Sequence, residues 1–421
     1  MVLRYFLLAV ALLALDGCPR KDSHAIDSGT ILTDVESDGQ LASDTYTSDD
    51  VEEPCQEGCA TQLSSYLVVT GPPSAPRFQG ASRSDGQTLI TWAASDGVVV
   101  RTLDSDGARV GSDVSVAGRT PWAIASGNSG FGVLVTSRSV PSAPNIQYDD
   151  ILTLFAFDQD GHGVFSRKLA GTKTPSVEGS EWFPYEPFTR AELVWQAEHW
   201  IPYFTILRQF ENSGGVHQTD RLLYIKGDGT LGSGPWEGGC SHSLDLRIAS
   251  NGTQLGTTCL SDCFPEKAIL FSHWINVQPD SSGNCLGAAD SRLGGLVPMG
   301  KSYWQSFATP EGRDSMDIGI RRIQTPDDKH EHNTAEATIW LTDNALAEDR
   351  PKLTAFKGGL IAAWRDGDHT RIEVLTASGS AVEHVETDFP LDEYSNLWSY
   401  PDGSAGWLYA DAAGLHLVRV Q

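Results

Sequence analysis

Basic residues are few in this chain: 30 Lys and Arg stand against 55 Asp and Glu, for a formal net charge of −25 at pH 7. A surface of that sign repels DNA, RNA and anionic lipid, so nucleic-acid partners and charge-driven membrane binding are not expected. Solvation alone is enough to explain the acidity. A membrane-crossing helix is also missing from the N-terminus, where the apolar run from Tyr5 to Leu15 has eleven residues and about 20 are needed. That run reads as an export segment. No GxSxG nucleophile elbow occurs.

What the chain has in quantity is glycine (42) and tryptophan (12), with 40% hydrophobic residues, a mixture suited to many short strands and tight turns and too apolar for a disordered chain. The stretch Gly86 to Gly118, GQTLITWAASDGVVVRTLDSDGARVGSDVSVAG, holds three short apolar runs separated by Ser, Asp and Gly. Gly359 to Glu386, GLIAAWRDGDHTRIEVLTASGSAVEHVE, repeats its layout, with a Trp closing the first run, an Asp-Gly turn, and an Arg in the second run. Repetition overrides the two or three domains that 421 residues would otherwise suggest, because stacked repeats share one continuous core.

Arg77 to Gly118 gives four strand-like runs, Phe78–Ser82, Thr88–Ala93, Val98–Leu103 and Val110–Val116. Further units are expected at Thr120–Gly171, Thr189–Gly239, Leu244–Gly294, Leu296–Asn344 and Arg350–Asp388, the fifth being the least regular. The last unit has three runs only, Leu397–Ser399, Gly406–Ala410 and Leu415–Val420, and the unused segment Ser65–Thr70 is the natural donor of its fourth strand. Joining the chain ends in this way removes an exposed sheet edge. Over Ser65–Gln421 the layout resembles the β-propeller family, as carried by bacterial lipoproteins with a degenerate propeller. The resemblance implies an all-β fold of four-stranded antiparallel blades, seven by this count, or six if the fifth unit is not a complete blade.

The N-terminus, with Arg4, the apolar run and then Leu15-Asp16-Gly17-Cys18, resembles a bacterial lipoprotein signal. It implies cleavage before Cys18 and lipid on its thiol, although Asp16 stands where such signals carry a small uncharged residue. Pro19 in place of Asp points toward the outer membrane or cell surface. Residues 19–64 then form an acidic Ser/Thr/Asp-rich tether; between 19 and 54 there are ten acidic and two basic residues and one aromatic, Tyr46, too little apolar surface to offset the entropy of ordering. The remaining six cysteines suit disulfides in an exported chain. Cys55 and Cys59 are placed to pair locally, while Cys240, Cys259, Cys263 and Cys285 allow three pairings; a four-thiolate zinc site is the alternative, favoured neither by spacing nor by export.

Other motifs have plain structural readings. The turns Asp104-Ser105-Asp106-Gly107 and Asp158-Gln159-Asp160-Gly161 resemble the opening of a calcium loop but lack its closing Glu, and suit hairpins. Gly227-Asp228-Gly229-Thr230-Leu231-Gly232 matches a phosphate loop without the helix that loop requires. His330 and His332 lie on one side of an extended segment, a weak metal candidate with no third ligand assignable. No cofactor is expected. The SxDxGxTW turn of sialidase-type propellers is absent.

Two functions remain in view. One is a non-catalytic binding or scaffold module, a monomer attached to the membrane only by its lipid and facing an envelope glycan, peptide or protein; the other is a sialidase-like or other glycoside hydrolase, which needs two carboxyls and an arginine cluster converging on the channel. For the first, three long connections should crowd one sector of the rim: Val140–Asp150, Glu211–Asp220 and the blade-joining Thr172–Phe188. They bring Trp182, Phe183, Tyr185 and Phe188 together with Tyr148, Asp149, Asp150 and His217, aromatic faces beside polar groups as in a sugar or peptide site. The lipid reading has a direct test: the exported protein should partition into detergent through Cys18, and unchanged partitioning of Cys18→Ser would overturn it.

Overall fold

The computed structural model describes residues 61–138, 150–170, 174–176, 179–182, 190–210, 216–233, 236–237, 240, 245–262, 267–272, 275–280, 290–325, 332–346 and 348–421. Among them the regular structure is all strand. Strand β1 (Leu63–Thr70) opens the chain, and a first four-stranded antiparallel sheet follows from β2 (Phe78–Ser82), β3 (Thr88–Ala94), β4 (Gly97–Leu103) and β5 (Arg109–Val116). The second comprises β6 (Thr120–Gly127), β7 (Gly130–Arg138), β8 (Asp150–Asp158) and β9 (Gly163–Ala170). The third is enlarged: β10 (Thr174–Ser176) and β11 (Gly179–Trp182) join β12 (Ala191–Gln196), β13 (His199–Phe210), β14 (Val216–Leu222), β15 (Ile225–Lys226) and β16 (Trp236–Glu237). Strands β17 (Asp245–Ser250), β18 (Leu255–Ser261), β19 (Ala268–Phe271) and β20 (Ile275–Pro279) form the fourth.

The fifth sheet has β21 (Arg292–Met299), β22 (Ser302–Thr309) and β23 (Asp317–Gln324), with its outer strand broken into β24 (Thr334–Ala335) and β25 (Ile339–Trp340). It is irregular, as its sequence suggests, yet it is a blade. The sixth is β26 (Glu348–Phe356), β27 (Gly359–Asp366), β28 (His369–Leu375) and β29 (Ala381–Thr387); the seventh is β30 (Leu397–Ser399), β31 (Ala405–Ala410) and β32 (Gly414–Val420), completed by β1. The fold is a seven-bladed β-propeller.

Alternation along the strands decides how the blades pack. Side chains on a strand point to opposite faces with a period of two, so each blade presents one apolar face to each neighbour. The buried apolar residues accordingly fall into seven clusters, one at each junction between adjacent blades. Trp304 and Trp364 fill the junction of blades five and six, and Trp407 that of six and seven. Backbones approach closely between blades five and six, where a Cβ on Gly295 would lie 2.3 Å from the Leu353 carbonyl oxygen.

The expected hairpin chemistry is present. Asp104 Oδ1 accepts the N–H groups of Asp106 and Ala108 at 3.0 and 2.8 Å, and Gly107 takes the left-handed φ of 77° that the turn requires. Asp158 repeats this at 3.0 and 2.8 Å with Asp160 and His162, so at both turns one carboxylate oxygen already serves the backbone.

Cys240 is disulfide-bonded to Cys259, across 6.4 Å between Cα atoms, in the cluster between blades three and four. The bond closes a span of 19 residues, for which the chain-entropy account gives about 3 kcal/mol. Cys18, Cys55, Cys59, Cys263 and Cys285 lie outside the described residues.

Three expected boundaries are corrected. The fifth blade starts at Arg292, because Gly294 and Gly295, placed at the border between the fourth and fifth units, belong to a bulge inside β21 between Leu293 and Leu296. Val216–Asp220 is strand β14 and no insertion, since β13 runs on to Phe210 and gives those residues partners. The segment joining blades two and three also contributes structure: β10 and β11 form a hairpin whose second strand pairs with Leu207–Phe210 of the long β13.

Ring closure rests on backbone bonds between the first and last strands. β1 runs antiparallel to β32 from Leu63 opposite Val420 to Thr70 opposite Gly414, and Gln62 and Gln421 exchange two N–H to carbonyl bonds of 2.9 Å. Thr61 adds a bond from its N–H to Glu383 Oε1 at 2.9 Å, and Val68 is buried between blades seven and one. Just before the inner strand β30, Asn396 accepts the Gly80 N–H at 3.0 Å and donates to the Gly80 carbonyl at 2.7 Å. A chain lacking residues up to Gly71 should therefore melt at a lower temperature and self-associate through the bare edge of β32. Equal melting temperatures and a monomeric truncated chain would show that β1 is dispensable.

Candidate functional site: a charged cavity in the central channel

The innermost strands β2, β6, β12, β17, β21 and β26, with β30 and the Ser395-Asn396 step before it, enclose a cavity of about 280 Å³ on the propeller axis. Most of its wall is backbone and small or apolar side chains. Four charged side chains line it, Arg190 and Glu192 of blade three, Arg247 of blade four and Lys352 of blade six, and Asp245 of blade four joins them through its contacts with Arg190 and Arg247.

Positions i and i+2 share one face of a strand, which is how Arg190 and Glu192 come side by side and how Asp245 meets Arg247. Arg190 Nε donates to Glu192 Oε1 at 2.9 Å and lies 3.6 Å from Asp245 Oδ1. Arg247 is held on all sides: Nη1 reaches Asp245 Oδ1 at 2.5 Å and the Leu246 carbonyl at 2.6 Å, while Nη2 reaches Asp245 Oδ2 at 3.1 Å and the Leu293 carbonyl at 2.7 Å. These bonds span three blades. Burial alone would push the Asp245 carboxyl up, but the charges of Arg247 and Arg190, with hydrogen bonds from Arg247 and the Leu246 N–H, outweigh it and hold the group below the usual carboxylate range.

Two cationic groups in this cluster keep unused donors. The Nη1 and Nη2 nitrogens of Arg190 bond to no acceptor among the described residues, leaving the fork of the guanidinium open while Nε anchors it. Lys352 is 8% exposed, and its ammonium has one hydrogen bond, to the Glu393 carbonyl at 2.8 Å, and no ion pair among the described residues. Burial, reinforced by repulsion from Arg190 and Arg247 and only partly opposed by Asp245 and Glu192, pushes the Lys352 amine down to about 7.

The residues named from the sequence lie elsewhere or outside the described set. Phe183, Tyr185, Phe188, Tyr148 and Asp149 lie outside the described residues. Trp182, Asp150 and His217 are placed by backbone in β11, β8 and β14, with Trp182 opposite Leu207 and His217 opposite Arg208 on the two sides of β13. His330 lies outside the described residues and His332 is exposed. His199 and His416 bond locally, to the Ala197 carbonyl at 2.6 Å and to Asp411 Oδ1 at 3.0 Å, and neither lines the cavity. Asp158, Asp160 and His162 bring potential ligand atoms within 4.8 Å of one another at an exposed hairpin. The signal that could have revealed the channel cluster is charge at alternate positions in a blade's first strand, as in Arg190-Ala191-Glu192 and Asp245-Leu246-Arg247, where the pattern otherwise calls for apolar residues.

No protein-family model and no curated protein matches the chain. Among solved structures it is similar to the β-propeller domain of Cps50 (Swd1) from Myceliophteria thermophila, at 10% identity over 84% of this chain and 98% of that one, with a TM-score of 0.48. An α-L-arabinanase of Penicillium chrysogenum in complex with arabinobiose is similar at 13% identity, over 85% and 98% of the two chains, with a TM-score of 0.43. A streptogramin B lyase gives 12% identity, 86% and 98% coverage and a TM-score of 0.43. The blade count rests on this chain's own strand pairing, and none of these proteins bears on what the cavity holds.

Lys352 makes stability depend on pH in a defined direction. Its folded amine releases the proton near 7, whereas an unfolded lysine keeps it to about 10.4. Between those values the unfolded chain binds more protons, so stability should rise with pH by about 1.4 kcal/mol per unit from this group, and the full penalty applies below 7. Lys352→Met should thus be more stable than the parent near pH 6, with the advantage shrinking toward pH 9 or so. Parallel urea-unfolding stabilities across that range would show that the ammonium is not buried.

Proposed function

We propose that the protein is a non-catalytic binding module, carried in the bacterial envelope on a lipid-anchored tether, that takes a small anionic ligand in its central channel. The observation that carries this reading is the Lys352 ammonium, more than nine-tenths buried at the cavity wall with no carboxylate paired to it. An unpaired buried cation is costly, and an anion beside it removes the cost. The open fork of Arg190 supplies the matching bidentate donor for a carboxylate. Sugar acids join this chemistry to an envelope setting.

The hydrolase reading has less support. Glu192 and Asp245 do converge on one guanidinium, and a glycosidase also uses two neighbouring carboxyls. One of such a pair must hold a proton at neutral pH, yet the two arginines keep Asp245 ionised and Glu192 accepts the Arg190 N–H. Here the carboxylates brace the arginines.

Calorimetric titration of the chain without its signal should find glucuronate, citrate or phosphate binding where glucose does not. Binding should strengthen as pH falls through about 7 and Lys352 gains its charge. Arg190→Met and Lys352→Met should each weaken it by about tenfold or more, the loss of a charge-assisted bond. Equal binding of glucose, or undiminished binding by both variants, would overturn the reading.

A further inference from the structure

The channel cluster contains an arrangement that simple anion binding leaves unused. Lys352 is a primary amine at the wall of the channel cavity, its Nζ bonded to the Glu393 carbonyl, and it shares that cavity with the open fork of Arg190. Cationic neighbours and burial together are the conditions under which a lysine becomes a nucleophile. Glu192 and Asp245 are too firmly committed to the arginines to pair with the amine and quench it.

We propose that Lys352 captures a 2-oxo acid covalently in the channel, its amine condensing with the keto carbon while the Nη nitrogens of Arg190 hold the carboxylate. The inference rests on the channel being the anion site. A 2-oxo acid carries its carbonyl on the carbon next to the carboxylate, so a carboxylate seated on Arg190 brings the electrophile toward the amine lining the same cavity. A cavity of about 280 Å³ admits a ligand of that size.

In the addition, the Lys352 nitrogen lone pair forms the new C–N bond and the carbonyl π pair moves to oxygen, which takes a proton from the nitrogen through solvent. Loss of that hydroxyl as water, with the second amine proton, leaves the imine. Nothing is oxidised or reduced, and hydrolysis reverses the step. Near neutral pH the amine is present both as the free base that attacks and as the ammonium that attracts the anion, since its proton leaves at about 7.

The test is reductive trapping on the full chain without its signal, using pyruvate and sodium cyanoborohydride, read by intact mass and peptide mapping. Lactate lacks the carbonyl and acetaldehyde lacks the carboxylate, so they are the two controls. The expected result is one reduced carboxyethyl group on Lys352 with pyruvate, none with lactate, and labelling of Lys352 by acetaldehyde slower by about tenfold or more, the worth of the Arg190 contact. Lys352→Arg should lose the adduct, and Arg190→Met should slow it by a similar factor with its melting temperature preserved. Adducts spread evenly over the surface lysines, or a yield unchanged in Lys352→Arg, would overturn the proposal. Pyruvate binding that depends on Arg190 but gives no adduct would overturn capture and leave the anion site standing; absence of both binding and adduct would remove the two together.

Discussion

Everything in this protein depends on face-to-face packing of one sheet against the next around a closed circle. No blade has a core of its own: each apolar face is covered by a neighbour, and the seven clusters form a circuit with no first or last member. Such a circuit tolerates irregularity inside a blade if both faces are kept. The fifth blade shows this, with an outer strand reduced to two two-residue pieces while Trp304 and Phe307 still fill the junctions on its two sides. The third carries the opposite change, three extra strand segments, with β11 pairing on the same edge of β13 as β12 and leaving the β12 pairing intact.

The same geometry concentrates chemistry on the axis. Inner strands are short of neighbours on one edge, and charges placed there from blades far apart in sequence are brought together in a buried space. Ionic groups in such a place must answer to one another. Arg247 is satisfied by Asp245 and two carbonyls, Arg190 only in part, and Lys352 by a single carbonyl. This gradient from braced to open points to where a ligand would enter the network.

The bladed fold was legible in the sequence because its signals are local. Runs of five to eight residues, Asp-Gly turns such as Asp104–Gly107 and a final unit one strand short all follow from period-two burial and turn stereochemistry, and the donor strand around Ser65–Thr70 was the one segment left over. Blade borders were less so. Gly294-Gly295 has the composition of a turn but serves a bulge, because β21 must approach the β26 backbone more closely than a side chain allows. The channel cluster was legible only as charge at alternate positions within single strands, since Arg190 and Lys352 are separated by about three blades and share no motif. Aromatic residues in the long connections are conspicuous by composition, whereas charge alternating through an inner strand has the composition of a solvated surface strand.

The pairing of β1 with β32 carries a consequence for how the molecule is made. The strand that emerges first from the ribosome finds its partner only when the last strand has been synthesised, so the most non-local contact in the chain is also the one that completes it. Contacts of such separation form slowly, because a long loop must close before the bond rewards it. Until then both strands offer unpaired edges, and six other blades can assemble into an open arc that is soluble only if those edges find no other chain. Folding of this propeller is therefore a race between its two ends and the next molecule, decided by how long the arc stays open.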